Sequence, residues 1–231
     1  MHLRPSLAGA AVALLAMPAA ASAAPPPTLA PLAYKCYVSA KPGQTQPIDI
    51  HGSNFMPGAL IDVFIDEVQV PTPAGGTPPQ ADANGELIGS VSAPFMASGQ
   101  RWFTLRLTEH DNPAGTVSTR AKVTALSVTS SPSRPRNTST RVRFRGRGFT
   151  DRLTPIYAHY VFNNRVRETV RIGKPFGDCG QFSVRRRQFP FKNPHTGSWT
   201  VQFDQEQAYN PNAQAYSRLK IVVSRKPGSR S

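Results

Sequence analysis

Two stretches of this 231-residue chain carry the same motifs in the same order at nearly constant spacing. Ile48-Asp49-Ile50-His51-Gly52-Ser53-Asn54-Phe55 matches Val142-Arg143-Phe144-Arg145-Gly146-Arg147-Gly148-Phe149 at an offset of 94. Asp82-Ala83-Asn84-Gly85-Glu86-Leu87 then matches Gly177-Asp178-Cys179-Gly180-Gln181-Phe182 at 95. Phe103-Thr104-Leu105-Arg106-Leu107 matches Trp199-Thr200-Val201-Gln202-Phe203 at 96. Val38 to Pro42 and Val128 to Pro132 extend the correspondence toward the start of each copy. A repeat of this length is one domain present twice.

Within each copy apolar residues alternate with polar ones, so that Ile48 with Ile50, and Val142 with Phe144, face one side of a strand. Ile61, Val63 and Ile65 form another inward row, as do Phe103, Leu105 and Leu107. Asn84-Gly85 is a strong hairpin signal. The chain has 17 Gly and 23 Pro and no sustained helical periodicity, which favours short strands and turns over helices. The expected fold class is all-β: two tandem immunoglobulin-like β-sandwiches after a cleaved signal peptide.

Gly52-Ser53-Asn54-Phe55-Met56-Pro57-Gly58, followed by a strand and then Asp82-Ala83-Asn84-Gly85, resembles the immunoglobulin-like modules of the IPT/TIG type in exported bacterial proteins, often actinobacterial. The second copy keeps Gly146-Arg147-Gly148-Phe149 and Asp178-Cys179-Gly180 but lacks the Pro-Gly after the phenylalanine. The resemblance implies the sandwich fold. It leaves function open, since such modules serve as spacers, adhesion units and carbohydrate-binding accessories.

The ends set the compartment. His2 and Arg4, the apolar run Leu7 to Met17 and the small residues Ala21-Ser22-Ala23 have the layout of an export signal. The run is too short for a membrane span, and no later segment is apolar enough for one. The expected division is a signal peptide over 1–23, a Pro-rich linker over 24–32, a first sandwich over 33–122, a second over 123–225 and a flexible tail over 226–231. The expected location is extracellular or associated with the cell envelope. Cys36 and Cys179 then enter an oxidising compartment. Three arrangements fit them: a disulfide between the domains, two buried free thiols, or contact with another protein.

Charge separates the two copies. From Ala24 to Val117 four Lys and Arg stand against eight Asp and Glu; from Ser118 to Ser231 the counts are 22 against five. The excess is organised, because Arg141, Arg143, Arg145 and Arg147 alternate with Val142, Phe144 and Gly146. Arg185 and Arg187 alternate with Val184 and Arg186 in a later strand. In an immunoglobulin-like sandwich these second and fifth strands lie side by side, so the two rows are expected to form one basic face. The first copy has Asp49, His51 and Ser53 at the matching positions. Like charges on neighbouring strands destabilise a sheet, and the planar guanidinium fork suits phosphate or carboxylate. Arg165, Arg167 and Arg171 form a second row, and for Tyr157, Tyr160, Phe189 and Phe191 core and loop packing outweighs stacking on a ligand.

Catalytic signatures are missing from the sequence: no nucleophile elbow, no His-Glu-x-x-His and no phosphate-cradling glycine loop. His110-Asp111 reads as a surface turn. Gln80 to Gly85 lacks the carboxylates of a calcium loop, and two cysteines with scattered histidines give no metal-ligand spacing. The expectation is a non-enzymatic secreted binding module without cofactor or metal. Its second domain would contact an extracellular polyanion: an acidic cell-wall glycan or teichoic acid, a phosphorylated envelope component, or nucleic acid. The alternative is a structural module that docks on an acidic protein surface or on a second copy of itself.

Overall fold

The computed structural model describes residues 25–71, 77–133, 137–213 and 215–224. The expected signal peptide over 1–23 and tail over 226–231 lie outside them. The described residues are all-β, without a helix, and form two sandwiches in tandem.

The first sandwich has nine strands: β1 (Thr28–Leu29), β2 (Cys36–Lys41), β3 (Gln44–Thr45), β4 (Pro47–Ser53), β5 (Ile61–Ile65), β6 (Val68–Gln69), β7 (Leu87–Ser92), β8 (Gln100–Glu109) and β9 (Asn112–Ala125). One sheet has the order β1-β4-β7 and the other β3-β2-β9-β8-β5-β6. Thr28 and Leu29, inside the Pro-rich segment, pair with Ser53 and Gly52. Alternation puts Ile48 and Ile50 of one sheet against Ile61, Val63, Phe103, Leu105 and Leu107 of the other in a single buried core.

The second sandwich follows after Leu126 alone. Its strands are β10 (Ser127–Ser131), β11 (Arg141–Arg147), β12 (Ile156–Phe162), β13 (Arg165–Gly173), β14 (Phe182–Arg187), β15 (Gly197–Asp204) and β16 (Ser217–Val223). The sheets run β10-β11-β14 and β13-β12-β15-β16. Val142 and Phe144 pack on Tyr160, Trp199, Val201 and Phe203 across the interior. Both sandwiches place the second strand of the repeat beside the fifth, as an immunoglobulin-like topology requires.

The repeated motif has a steric cause. Phe55 N–H donates to Gly85 O at 3.1 Å, and Phe149 N–H donates to Gly180 O at 3.1 Å. Both glycines have positive φ, +77° and +56°. A β-carbon on Gly85 would meet Phe55 O at 2.3 Å, so the backbones approach too closely for any side chain. Each phenylalanine is buried, which ties the turn to the core.

Two expectations change. Asn84-Gly85 makes a turn, closed by Gly85 N–H to Asp82 O, but it does not join paired strands. Gln80 before it bridges to Leu60, whereas β7 after it pairs with β4, so the turn crosses between sheets. The aligned opening strands also differ: β2 runs parallel to β9, whereas β10 pairs antiparallel with β11. Similar sequences therefore serve opposite sheets, because β1 already occupies the edge of β4 in the first copy.

The sandwiches are joined by more than the chain. Cys36 Sγ is bonded to Cys179 Sγ, 143 residues away. Asp178, beside that cysteine, accepts from Lys122 Nζ at 3.3 Å and from an Arg152 guanidinium nitrogen at 3.0 Å. Gln181 Nε2 donates to Gln100 Oε1, and Lys41 Nζ to the Tyr216 hydroxyl.

Candidate functional site

Sheet β10-β11-β14 brings the two arginine rows together. In the register of β11 and β14, Arg141 stands opposite Arg187, Arg143 opposite Arg185 and Arg145 opposite Ser183. Val142 and Phe144 are fully buried, which turns the arginines between them to solvent; Arg141, Arg143, Arg145, Arg185 and Arg187 are exposed and Arg147 is half-buried. On the other side of β11, Ser131 stands opposite Arg143, Thr129 opposite Arg145 and Ser127 opposite Arg147. The outward positions of this face are therefore arginine, serine and threonine only.

No ion pair among the described residues includes any of these six arginines. The carboxylates nearest in sequence are engaged elsewhere. Asp178 is held by Lys122 and Arg152, and Asp151 Oδ1 accepts from the backbone N–H groups of Leu153 and Thr154. Hydrogen bonds to the ionised form hold both carboxyls below the usual carboxylate range, led by Lys122 for Asp178 and by Thr154 for Asp151. The equivalent face of the first sandwich pairs Asp49 with Ser90 and His51 with Ile88, so it has the same register without the arginines.

The second row lies elsewhere. Arg165, Arg167 and Arg171 are on β13, the edge of the opposite sheet. Arg186, between Arg185 and Arg187, reaches that edge and donates to Arg171 O at 3.3 Å. The basic surface thus turns the open side of the sandwich. Tyr160 and Phe189 are buried, and burial pushes the Tyr160 hydroxyl well above its usual range. They are core residues, and Phe191 packs against them.

Three features were not legible as sites in the sequence. The first is a cleft between the sandwiches of about 750 Å³, lined by Lys41, Gln44 and Gln46 from one and Asp151, Gln205 and Tyr216 from the other. The second is exposed Trp102 on β8, with the Lys122 ammonium 4.8 Å and the Arg120 guanidinium 5.4 Å from its ring. The third is a buried polar cluster. His159 Nε2 lies 3.1 Å from both Asp204 Oδ1 and Glu206 O, two acceptors, so that nitrogen carries the hydrogen; Nδ1 faces Thr169 Oγ1 at 3.0 Å.

The His159–Asp204–Thr169 grouping has the members of a nucleophilic triad but not the access of one, because His159 and Asp204 are both fully buried. Its partners identify its role. Gln202 Nε2 donates to Asp204 Oδ2 and Asn210 O, and Arg218 donates to Gln202 Oε1 and Pro211 O. Together these groups fasten residues 205–213 of the connection between β15 and β16 across the outer face of β12 and β15. The corresponding connection of the first copy is the tight turn at His110-Asp111. There the Asp62 carboxylate accepts from Nδ1 of the exposed His110 ring at 2.9 Å, and this hydrogen bond raises the His110 pKa. Asp82 Oδ1 accepts from Asn84 and Glu86 N–H, so its oxygen serves the turn. No metal-binding cluster of His, Cys, Asp and Glu occurs among the described residues.

No helix among the described residues is long and apolar enough to cross a membrane. No protein-family model matches the sequence, and no curated protein matches it either. Among solved structures, the chain is similar to a Bacteroides ovatus mixed-linkage glucan utilization protein, SGBP-B, in complex with a mixed-linkage heptasaccharide. That likeness has 10% identity and a TM-score of 0.25, covering 85% of this chain and 47% of the other. A second similar structure, Rst D1-D2, has 12% identity and a TM-score of 0.29, covering 87% and 99%. The chain thus spans about half the length of the first of these.

Proposed function

We propose that this chain is a non-enzymatic exported binding module of the IPT/TIG type, whose second sandwich holds an extracellular polyanion on the outer face of β10-β11-β14. The observation that carries the reading is the direct opposition of Arg143 to Arg185 and of Arg141 to Arg187. Like charges in that register weaken a sheet, and no described carboxylate offsets them. A polyanion laid across the face supplies the missing counter-charge and gains bidentate hydrogen bonds from the guanidinium forks. The two units divide at Leu126, and the Cys36–Cys179 bond fixes how the basic unit is presented.

Retention on a heparin column across a salt gradient tests this. The wild-type protein elutes late and its affinity falls steeply with salt, since each neutralised charge releases counterions. The variant with Arg143, Arg145, Arg185 and Arg187 all changed to Ser elutes early, with a melting temperature no lower than that of the wild type, since the opposed charges are gone. Equal retention of the two proteins refutes the proposal. The other reading, docking on an acidic protein or on the acidic first sandwich of a second copy, rests on the unequal charge of the two copies. Sedimentation shows it as a dimer at low salt that dissociates as salt rises.

A further inference from the structure

The geometry points to a particular class of polyanion: a phosphodiester polymer with a short polyol backbone and no aromatic bases. This rests on the polyanion reading and deepens it. Successive outward residues of a strand are about 6.7 Å apart, and neighbouring strands about 4.8 Å. The four arginines of β11 therefore form a track of roughly 20 Å, with Arg185 and Arg187 as a second lane beside it. A ligand that uses the whole track is linear and bears one anionic group for every two residues of strand. A polymer with a three-carbon unit between phosphates has a repeat of that order.

Nucleic-acid strands share this three-carbon spacing, so spacing alone does not separate them from polyol phosphates. The rest of the face does. Proteins that hold single-stranded nucleic acid set aromatic rings beside the cations, and the bases stack on them. Here the outward positions between and beside the arginines are Ser127, Thr129, Ser131 and Ser183. The nearest rings in sequence, Phe144, Phe149, Phe182 and Phe189, are all buried in the core. The surface is a flat array of guanidinium and hydroxyl groups. It suits phosphate oxygens and the hydroxyls of a polyol, and it offers a base guanidinium planes but no aromatic ring to stack on.

The test compares two synthetic probes with the same number of phosphates, binding to the full mature chain: an oligomer of propanediol phosphodiesters and an oligothymidylate. The base-free oligomer is expected to bind at least as tightly, with the same salt dependence, and the variant with four Arg→Ser changes is expected to bind neither. The corresponding four Arg→Lys changes keep the charge and the fold but lose the fork, and are expected to weaken binding severalfold. Stacking of one base would favour the oligothymidylate by roughly fivefold or more, and that result overturns the inference in favour of nucleic acid. Retention on heparin with binding of neither probe also overturns it, in favour of a sulfated or carboxylated glycan, and leaves the polyanion reading standing. Failure on heparin and on both probes removes both readings.

Discussion

A β-carbon placed on Gly180 would sit 2.0 Å from the carbonyl oxygen of Phe149. The two backbones are held at that separation by the Phe149 N–H to Gly180 O hydrogen bond, and Gly180 has a φ of +56°. Gly180→Ala therefore meets both a clash and an unfavourable backbone region, and is expected to cost more than about 1 kcal/mol. Gly85→Ala, with the same relation to Phe55, is expected to behave alike. Gly89→Ala is the control, because an added β-carbon there meets nothing within 4 Å and the backbone is extended. Denaturant unfolding of the three variants checks this; equal midpoints would show that the Phe–Gly contact is not what holds the repeat motif.

The opposed arginines predict a trade between stability and binding. Arg185→Glu puts a carboxylate directly across from Arg143 and is expected to stabilise the sheet by about 0.2–1 kcal/mol. The same change should shorten retention on heparin. A face that was only solvated would show the first effect without the second.

The sandwich and its arginine face were legible because they depend on period-two alternation. Val142 and Phe144 must point inward, and that alone commits Arg141, Arg143 and Arg145 to solvent. The pairing of β11 with β14 followed from fold class. The cluster at His159 was not legible in the same way. Alternation along Ile156–Phe162 puts His159 on the outward side, where a strand residue ordinarily meets water. It is buried because residues 205–213 fold back over it, and nothing local to His159 reports a cover supplied from 47 residues away. The one available signal was the length of that connection beside the short turn at His110-Asp111. The cleft was hidden for a similar reason, since its lining comes from both sandwiches and depends on how Cys179 and Asp178 dock against the first.

Docking should be sensitive to acid. The Lys122 and Arg152 contacts hold the Asp178 carboxyl below its ordinary value, so their contribution is present above the unfolded pKa of about 3.9 and is lost as pH falls through the lower folded pKa. The protection factors of amides at the junction, which compare exchange with the intrinsic rate at each pH, are expected to fall below about pH 4. Asp178→Asn should remove that pH dependence locally while leaving the acid responses of Asp82 and Asp151 in place.

Reduction acts on the same junction through the unfolded chain. The Cys36–Cys179 bond closes a 143-residue separation, and its loss is expected to cost about 2–5 kcal/mol. Calorimetry of the Cys36→Ser/Cys179→Ser double variant should show a lower melting temperature and two separated transitions, one for each sandwich. A single unchanged transition would mean that noncovalent contacts suffice to couple them.

Asp204→Ala tests the buried cluster. Asp204 accepts from His159 Nε2, Gln202 Nε2 and Glu206 N–H, and the truncation leaves donors without a partner in a site closed to water. Leaving buried donors unsatisfied is expected to cost about 1–3 kcal/mol. Because His159 and Gln202 also hold Glu206 O and Asn210 O, the loss should concentrate in the connection 205–216. Limited proteolysis should then cut there first, ahead of global unfolding. Gln205 and Tyr216, on the same connection, line the cleft between the sandwiches, so opening it should also deform that cleft. If Asp204→Ala lowers stability without exposing 205–216, the cluster serves the sheet core and not the connection that covers it.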